Sequence, residues 1–157
     1  MTDTMKLAEA LLLRADLQKK LASLQTRAQK YVVVQEGERP AEDPRELLNQ
    51  VEAMAADLQR LVYAINRTNL HHTIKSGVSL TEALARRDSL ALRHRALQGV
   101  IDACIRPVER YGVKEIRWVL TVDVPTLQTQ VDGLAKQVRE LNAAIQEAGW
   151  AVELEGY

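Results

Sequence analysis

The chain contains no phenylalanine, and its aromatic residues are two tryptophans and four tyrosines. Its core must therefore be aliphatic, built from Leu, Val, Ile and Ala, which suits helix packing. A single cysteine, Cys104, excludes an internal disulfide framework. It falls beside Ile101, Ile105 and Val108 on an apolar face, so a buried, inert thiol is expected. Net charge is missing as well. Twenty-one basic and twenty-one acidic side chains cancel, so no global field steers the molecule to nucleic acid or to a membrane. No segment approaches the roughly 18 apolar residues of a membrane span. The opening MTDTMKLAEALLLRADLQ has no basic region ahead of an apolar stretch, unlike a signal peptide. The expected location is cytoplasmic, and 157 residues make a single helical domain.

What the chain does have is a heptad seam, written four times. The cleanest copy is Val124, Leu127, Val131, Leu134, Val138, Leu141, Ile145 and Ala148, spaced 3-4 throughout. The first copy runs through Leu7, Ala10, Arg14, Leu17, Leu21, Leu24, Ala28 and Tyr31, with an arginine in a leucine position. The second reads Leu48, Val51, Ala55, Leu58, Val62, Ile65 and Asn69. The third carries Leu84, Arg87, Leu90 or Ala91, His94, Leu97, Ile101 and Cys104.

Boundary signals give four helices. Thr2, Asp3 or Thr4 can cap the first, which runs to about Tyr31. Asp43 caps the second, with Pro44 at its first position and Glu46 as in a capping box. Residues 68–77 form its exit and the following loop. Ser79 and Glu82 open the third, which Pro107 and Gly112 end or kink. Asp123 caps the fourth, and Gly149 is placed to stop it. The first and last helices are expected to be the long ones, about 40 Å at 1.5 Å per residue. Between the third and fourth the period changes to two. Ile116, Trp118, Leu120 and Val122 alternate with polar residues, a strand signal near residues 115–123. Residues 32–34 and 151–154 are candidate strand partners, as is the same strand of a neighbouring subunit.

Charge is unevenly placed: residues 36–58 carry seven acids and two bases, residues 84–117 eight bases and four acids. A hairpin of the second and third helices brings these stretches face to face. The basic cluster is then neutralised internally rather than offered to nucleic acid, and no aromatic interleaving of an RNA-binding kind accompanies it.

The polar interruptions are where chemistry could reside. Arg14, Arg87 and His94 occupy apolar seam positions, where an unpaired buried charge is very costly. They form a buried layer that fixes register, or snorkel to the surface, or line a ligand pocket. In the same hairpin geometry Asn66 and Asn69 come near Arg86, Arg87 and Asp88. Such a cluster suits an anion or a small polar ligand at the start of the third helix, and equally suits glue between helices. His71 and His72 are adjacent and lack the i, i+4 spacing of a metal pair, so they read as solvated loop residues and no metal is expected. No nucleophile elbow, P-loop, dinucleotide fingerprint or zinc spacing occurs, and no cofactor is expected.

Several segments resemble the septicolysin-like family of small bacterial proteins. They are KLAEALLLRADLQKKL (residues 6–21), VQEGERPAEDPRELL (34–48), INRTN (65–69), SLTEALARRDSL (79–90), EIRWVLTVDV (115–124) and IQEAGW (145–150). The resemblance spans nearly the whole chain in the same order. Its name implies a membrane-damaging cytolysin, and it carries no catalytic or binding residues over. The residues themselves oppose that activity: no helix has a basic polar face with aromatic anchors.

The sequence thus predicts a mainly α protein, an antiparallel helical bundle or coiled coil of about four helices with a small β element near residues 115–123. Four apolar seams exceed what a slim hairpin hides, so a homo-oligomer is expected. The expected function is non-enzymatic assembly or scaffolding. The alternatives are binding of a small polar ligand or anion, conceivably by an enzyme, through Asn66, Asn69, Arg86, Arg87, Asp88 and His94, and the membrane activity implied by the resemblance.

Overall fold

A computed structural model of the chain describes residues 4–104 and 119–157. The fold is an all-α helical bundle, and the described residues form four helices in the order α1 (Leu7–Lys30), α2 (Pro44–His71), α3 (Leu80–Cys104) and α4 (Val124–Ala151). Their lengths of 24, 28, 25 and 28 residues are similar. The expectation of two long outer helices gives way to four comparable ones.

The caps explain the boundaries. Asp43 accepts a hydrogen bond from the Arg45 backbone N–H at 2.8 Å, and Pro44 follows it at the start of α2. Asp123 precedes α4, its carboxylate accepting from the Thr126 hydroxyl. At α1 the cap is Lys6, later than the threonines and Asp3 suggest. Its backbone N–H donates to Glu9 at 2.7 Å. Gly149 does not end α4. It is buried inside the helix, facing Ala8 of α1, and the helix continues to Ala151.

The chain divides into two compact units, one comprising Met1–Thr81 with Gln146–Tyr157, the other Glu82–Ile145. In the first, α1 and α2 form an antiparallel hairpin. Leu24, Ala28 and Leu47 make a buried cluster at its loop end, with Tyr31, Val51 and Met54 packed against it. Leu7, Ala10, Leu61, Ala64, Ile65 and Thr68 are buried toward its other end. Each fully buried leucine or isoleucine contributes roughly 1.5–3 kcal/mol of transfer free energy. In the second unit Ile101 of α3 and Val131 and Leu134 of α4 are buried at positions the seams assign to the core, whereas at the start of α3 Ala83 is buried and the expected Leu84 only half-buried.

The α2 seam differs by one residue from expectation. Leu47, Val51, Met54, Leu58, Leu61, Ile65 and Thr68 face inward or partly inward. The expected set shares Val51, Leu58 and Ile65 with it but places Leu48, Ala55 and Val62 in the core. Leu48 and Ala55 are exposed and Val62 is half-buried. Both sets have 3-4 spacing, so α2 carries two apolar stripes side by side.

Among the described residues there is no strand, only isolated bridges between Lys6 and Glu153 and between Thr73 and Ser79. Residues 119–123 are irregular, and residues 105–118, with the rest of the expected β element, Pro107 and Gly112, lie outside the described residues. Residues 32–34 are an exposed loop. The carboxyl-terminal segment does pair, but with the start of α1: Leu7 N–H donates to Val152 at 3.0 Å and Leu154 N–H to Met5 at 2.8 Å. No described helix is long and apolar enough to cross a membrane.

Candidate functional site

The second stripe of α2 opens a groove against α1. Leu48, Val51 and Ala55 line one wall, and Leu21 and Ala22 of α1 with Val32 of the following loop line the other. The groove has a volume of about 790 Å³. Its polar lining is three glutamines, Gln18, Gln25 and Gln29, and no charged side chain takes part. Farther along α2 the stripe continues through Leu58, Val62 and Tyr63 beside Asn66. Leu48 is 54% exposed and Tyr63 67%. Large apolar side chains left in water along one helix face mark a contact surface more often than scattered exposure does.

A second constellation closes the opposite end of the hairpin. The Glu155 carboxylate meets three donors from the last turns of α2. Oε2 lies 3.2 Å from Arg67 Nε and 2.8 Å from His71 Nδ1, and Oε1 lies 2.9 Å from His72 Nε2. Each imidazole therefore carries its hydrogen on the nitrogen facing the carboxylate. The Glu155 backbone N–H donates at 2.9 Å to the hydroxyl of Thr68, which itself donates to the Ala64 carbonyl at 2.8 Å. Thr68 is fully buried, and this bridge satisfies its hydroxyl. Hydrogen bonding from His71, then from His72 and Arg67, holds the Glu155 carboxyl below the ordinary carboxylate range. Gly156 follows with φ +74°, where a Cβ would stand 3.1 Å from the Arg67 guanidinium. The left-handed φ is what favours glycine there, since the guanidinium tip can shift by the few tenths of an ångström a Cβ would need.

His71 and His72 are thus ligands of a carboxylate rather than solvated loop residues. They grip opposite oxygens, and among the described residues no group of three or more His, Cys, Asp or Glu side chains could hold a metal ion.

The residues singled out in the sequence are distributed over both units. Asn66 is exposed on the α2 stripe and Asn69 half-buried beyond it, both in the first unit. Arg86, Arg87, Asp88 and His94 belong to α3 in the second. There Arg86 pairs with Glu82 one turn back, at 2.5 Å, and Arg87 with its neighbour Asp88, at 2.7 Å. Arg14, Arg87 and His94 are each half-buried. Cys104 is also half-buried, its thiol 3.2 Å from the Val100 carbonyl. Sequence reasoning missed Glu155, and Arg67 and Thr68 stood out only as members of the polar string 65–69, with no partner assigned to them. Thr68 had a signal, since it continues the true inward register three residues after Ile65.

Comparison with known proteins places the chain. No curated protein matches it. It is similar to a crystal structure of a functionally unknown conserved protein from Corynebacterium diphtheriae, with 34% sequence identity and a TM-score of 0.90 over 98% of this chain and 100% of that one. These findings overturn the septicolysin-like resemblance: neither the structural neighbour nor the matching family points to a cytolysin. The membrane-damaging activity rested on that resemblance and falls with it. The model of a family of unknown function, DUF6847, matches residues 14–154, and the chain belongs to that family.

Proposed function

We propose that the protein is a non-enzymatic, self-associating helical scaffold. The observation that carries this reading is the uncharged apolar groove between α1 and α2, continued along α2 by a stripe of 3-4 spacing. Such a stripe is the surface by which helices pack on helices. Its partner is a second copy of the chain. We place the assembly in the cytoplasm, whose reducing conditions suit the free thiol of Cys104.

Light scattering and sedimentation velocity of the full chain test the reading. A dimer or larger species that dissociates on dilution is the expected result. A monodisperse monomer at all concentrations up to the millimolar range removes it.

A further inference from the structure

We propose that two copies of the chain pair through the α1/α2 groove about a two-fold axis running along it, so that α1 of each copy lies over α2 of the other. The pairing rests on the self-association reading and specifies its contact face and symmetry.

Chemistry selects the occupant first. The groove lining has no charged side chain, and its continuation along α2 adds one, Arg60, which is exposed and ion-paired with Asp57, so an identical face meets it at little electrostatic cost. A charged partner surface would bury its own charges without counterparts. The stripe through Leu48, Val51, Ala55, Leu58 and Val62 keeps the spacing of a helix seam, and a second copy offers the same seam in return.

Charge then selects the axis. Residues 44–57 of α2 carry three acids and one base, and the stretch of α1 level with them, residues 14–27, carries four bases and one acid. A two-fold axis across the groove would stack α1 on α1 and α2 on α2, like charge upon like. An axis along the groove stacks basic α1 on acidic α2 twice, because the operation exchanges the two sides of the hairpin while preserving height along it.

Register names the pair. Within the hairpin Arg27 is ion-paired with Glu42, and Leu24 packs with Leu47. Antiparallel helices in that register bring Lys19 level with Glu52. Both are exposed, on the outer flanks of the groove. Rotation about the axis carries the Lys19 of one copy to the flank of Glu52 of the other, once on each side of the resulting four-helix arrangement. From Leu48 to Val62 the face measures roughly 21 Å along α2 at 1.5 Å per residue. Two helix diameters across, this amounts to about 840 Å² of total buried surface, the size of a weak pairing that dissociates on dilution.

Four variants decide it, each first checked for native helicity by circular dichroism. Leu48→Asp and Ala55→Asp alter exposed side chains, so the hairpin persists while dimer affinity falls by roughly a hundredfold or more. Lys19→Glu and Glu52→Lys each weaken the dimer roughly three- to tenfold, as expected for flanking ion pairs. The combined Lys19→Glu/Glu52→Lys protein recovers to within about twofold of the original. If self-association survives Leu48→Asp and Ala55→Asp unchanged, the contact face lies elsewhere, and this proposal falls while the scaffold reading stands. Failure of the combined variant to recover overturns the axis. A wild-type monomer that takes up 8-anilinonaphthalene-1-sulfonate, with uptake lost in Leu48→Asp, assigns the groove to an apolar small molecule and overturns both.

Discussion

At the residue scale the carboxyl-terminal clasp is the most constrained polar feature of the first unit. One carboxylate holds three donors, and one backbone N–H holds a buried hydroxyl. The Glu155 carboxyl is held below its ordinary range by its donors. A group with a lowered folded-state value stabilises the fold above its unfolded value, about 4.3 for glutamate, and that contribution disappears as pH falls through the folded value. Glu155→Gln is therefore expected to melt at a lower temperature than the wild type at pH 7. The difference should close as the pH is lowered below about 4. Thermal unfolding of both proteins followed from pH 3 to 8 measures this. A difference that stays constant over that span contradicts an ionised clasp.

At the element scale, α2 is the helix that most separates sequence from structure. Its two stripes differ by one position, and periodicity alone fits both. Leu47 and Leu48 are chemically identical candidates, and only their placement against Leu24 and Ala28 decides which is inside. Where a helix has one stripe, the sequence is unambiguous. The α4 seam is buried or half-buried at every position from Val124 to Ala148, and α1 buries Leu7, Ala10, Leu24 and Ala28 as its spacing requires. The clasp was illegible for a different reason. Arg67, Thr68, His71 and His72 are some 85 residues from Glu155, and no local pattern records a contact made by a chain end returning across the hairpin. Gly149 shows the converse failure, since a stop signal there is overridden by packing against Ala8. The assignment of stripes has a direct energetic consequence. Leu61 is fully buried, and Leu61→Ala is expected to cost about 2–5 kcal/mol. Leu48→Ala, at an exposed position, is expected to cost under about 1 kcal/mol in the monomer. Urea unfolding at low protein concentration separates them, and equal costs would place Leu48 in the core after all.

At the scale of the whole molecule, the two stripes of α2 divide their work. One stripe satisfies the hairpin, and the other, exposed at Leu48 and Ala55, is the face proposed for a second copy. Binding that favours the folded state raises apparent stability by mass action, so a self-associating protein melts at a temperature that depends on its concentration. Across a hundredfold range above the dissociation constant, the stabilisation of the dimer grows by about 2.7 kcal/mol per mole of dimer. For a chain of this size that corresponds to a rise in melting temperature of roughly 3–5 °C. Leu48→Asp removes the coupling, and its melting temperature is expected to be flat over the same range. Because the substitution lies on a surface exposed in the monomer, the two proteins should converge at high dilution and diverge as concentration rises. Parallel curves, displaced but equally sloped, would mean that Leu48 affects the hairpin alone and takes no part in assembly.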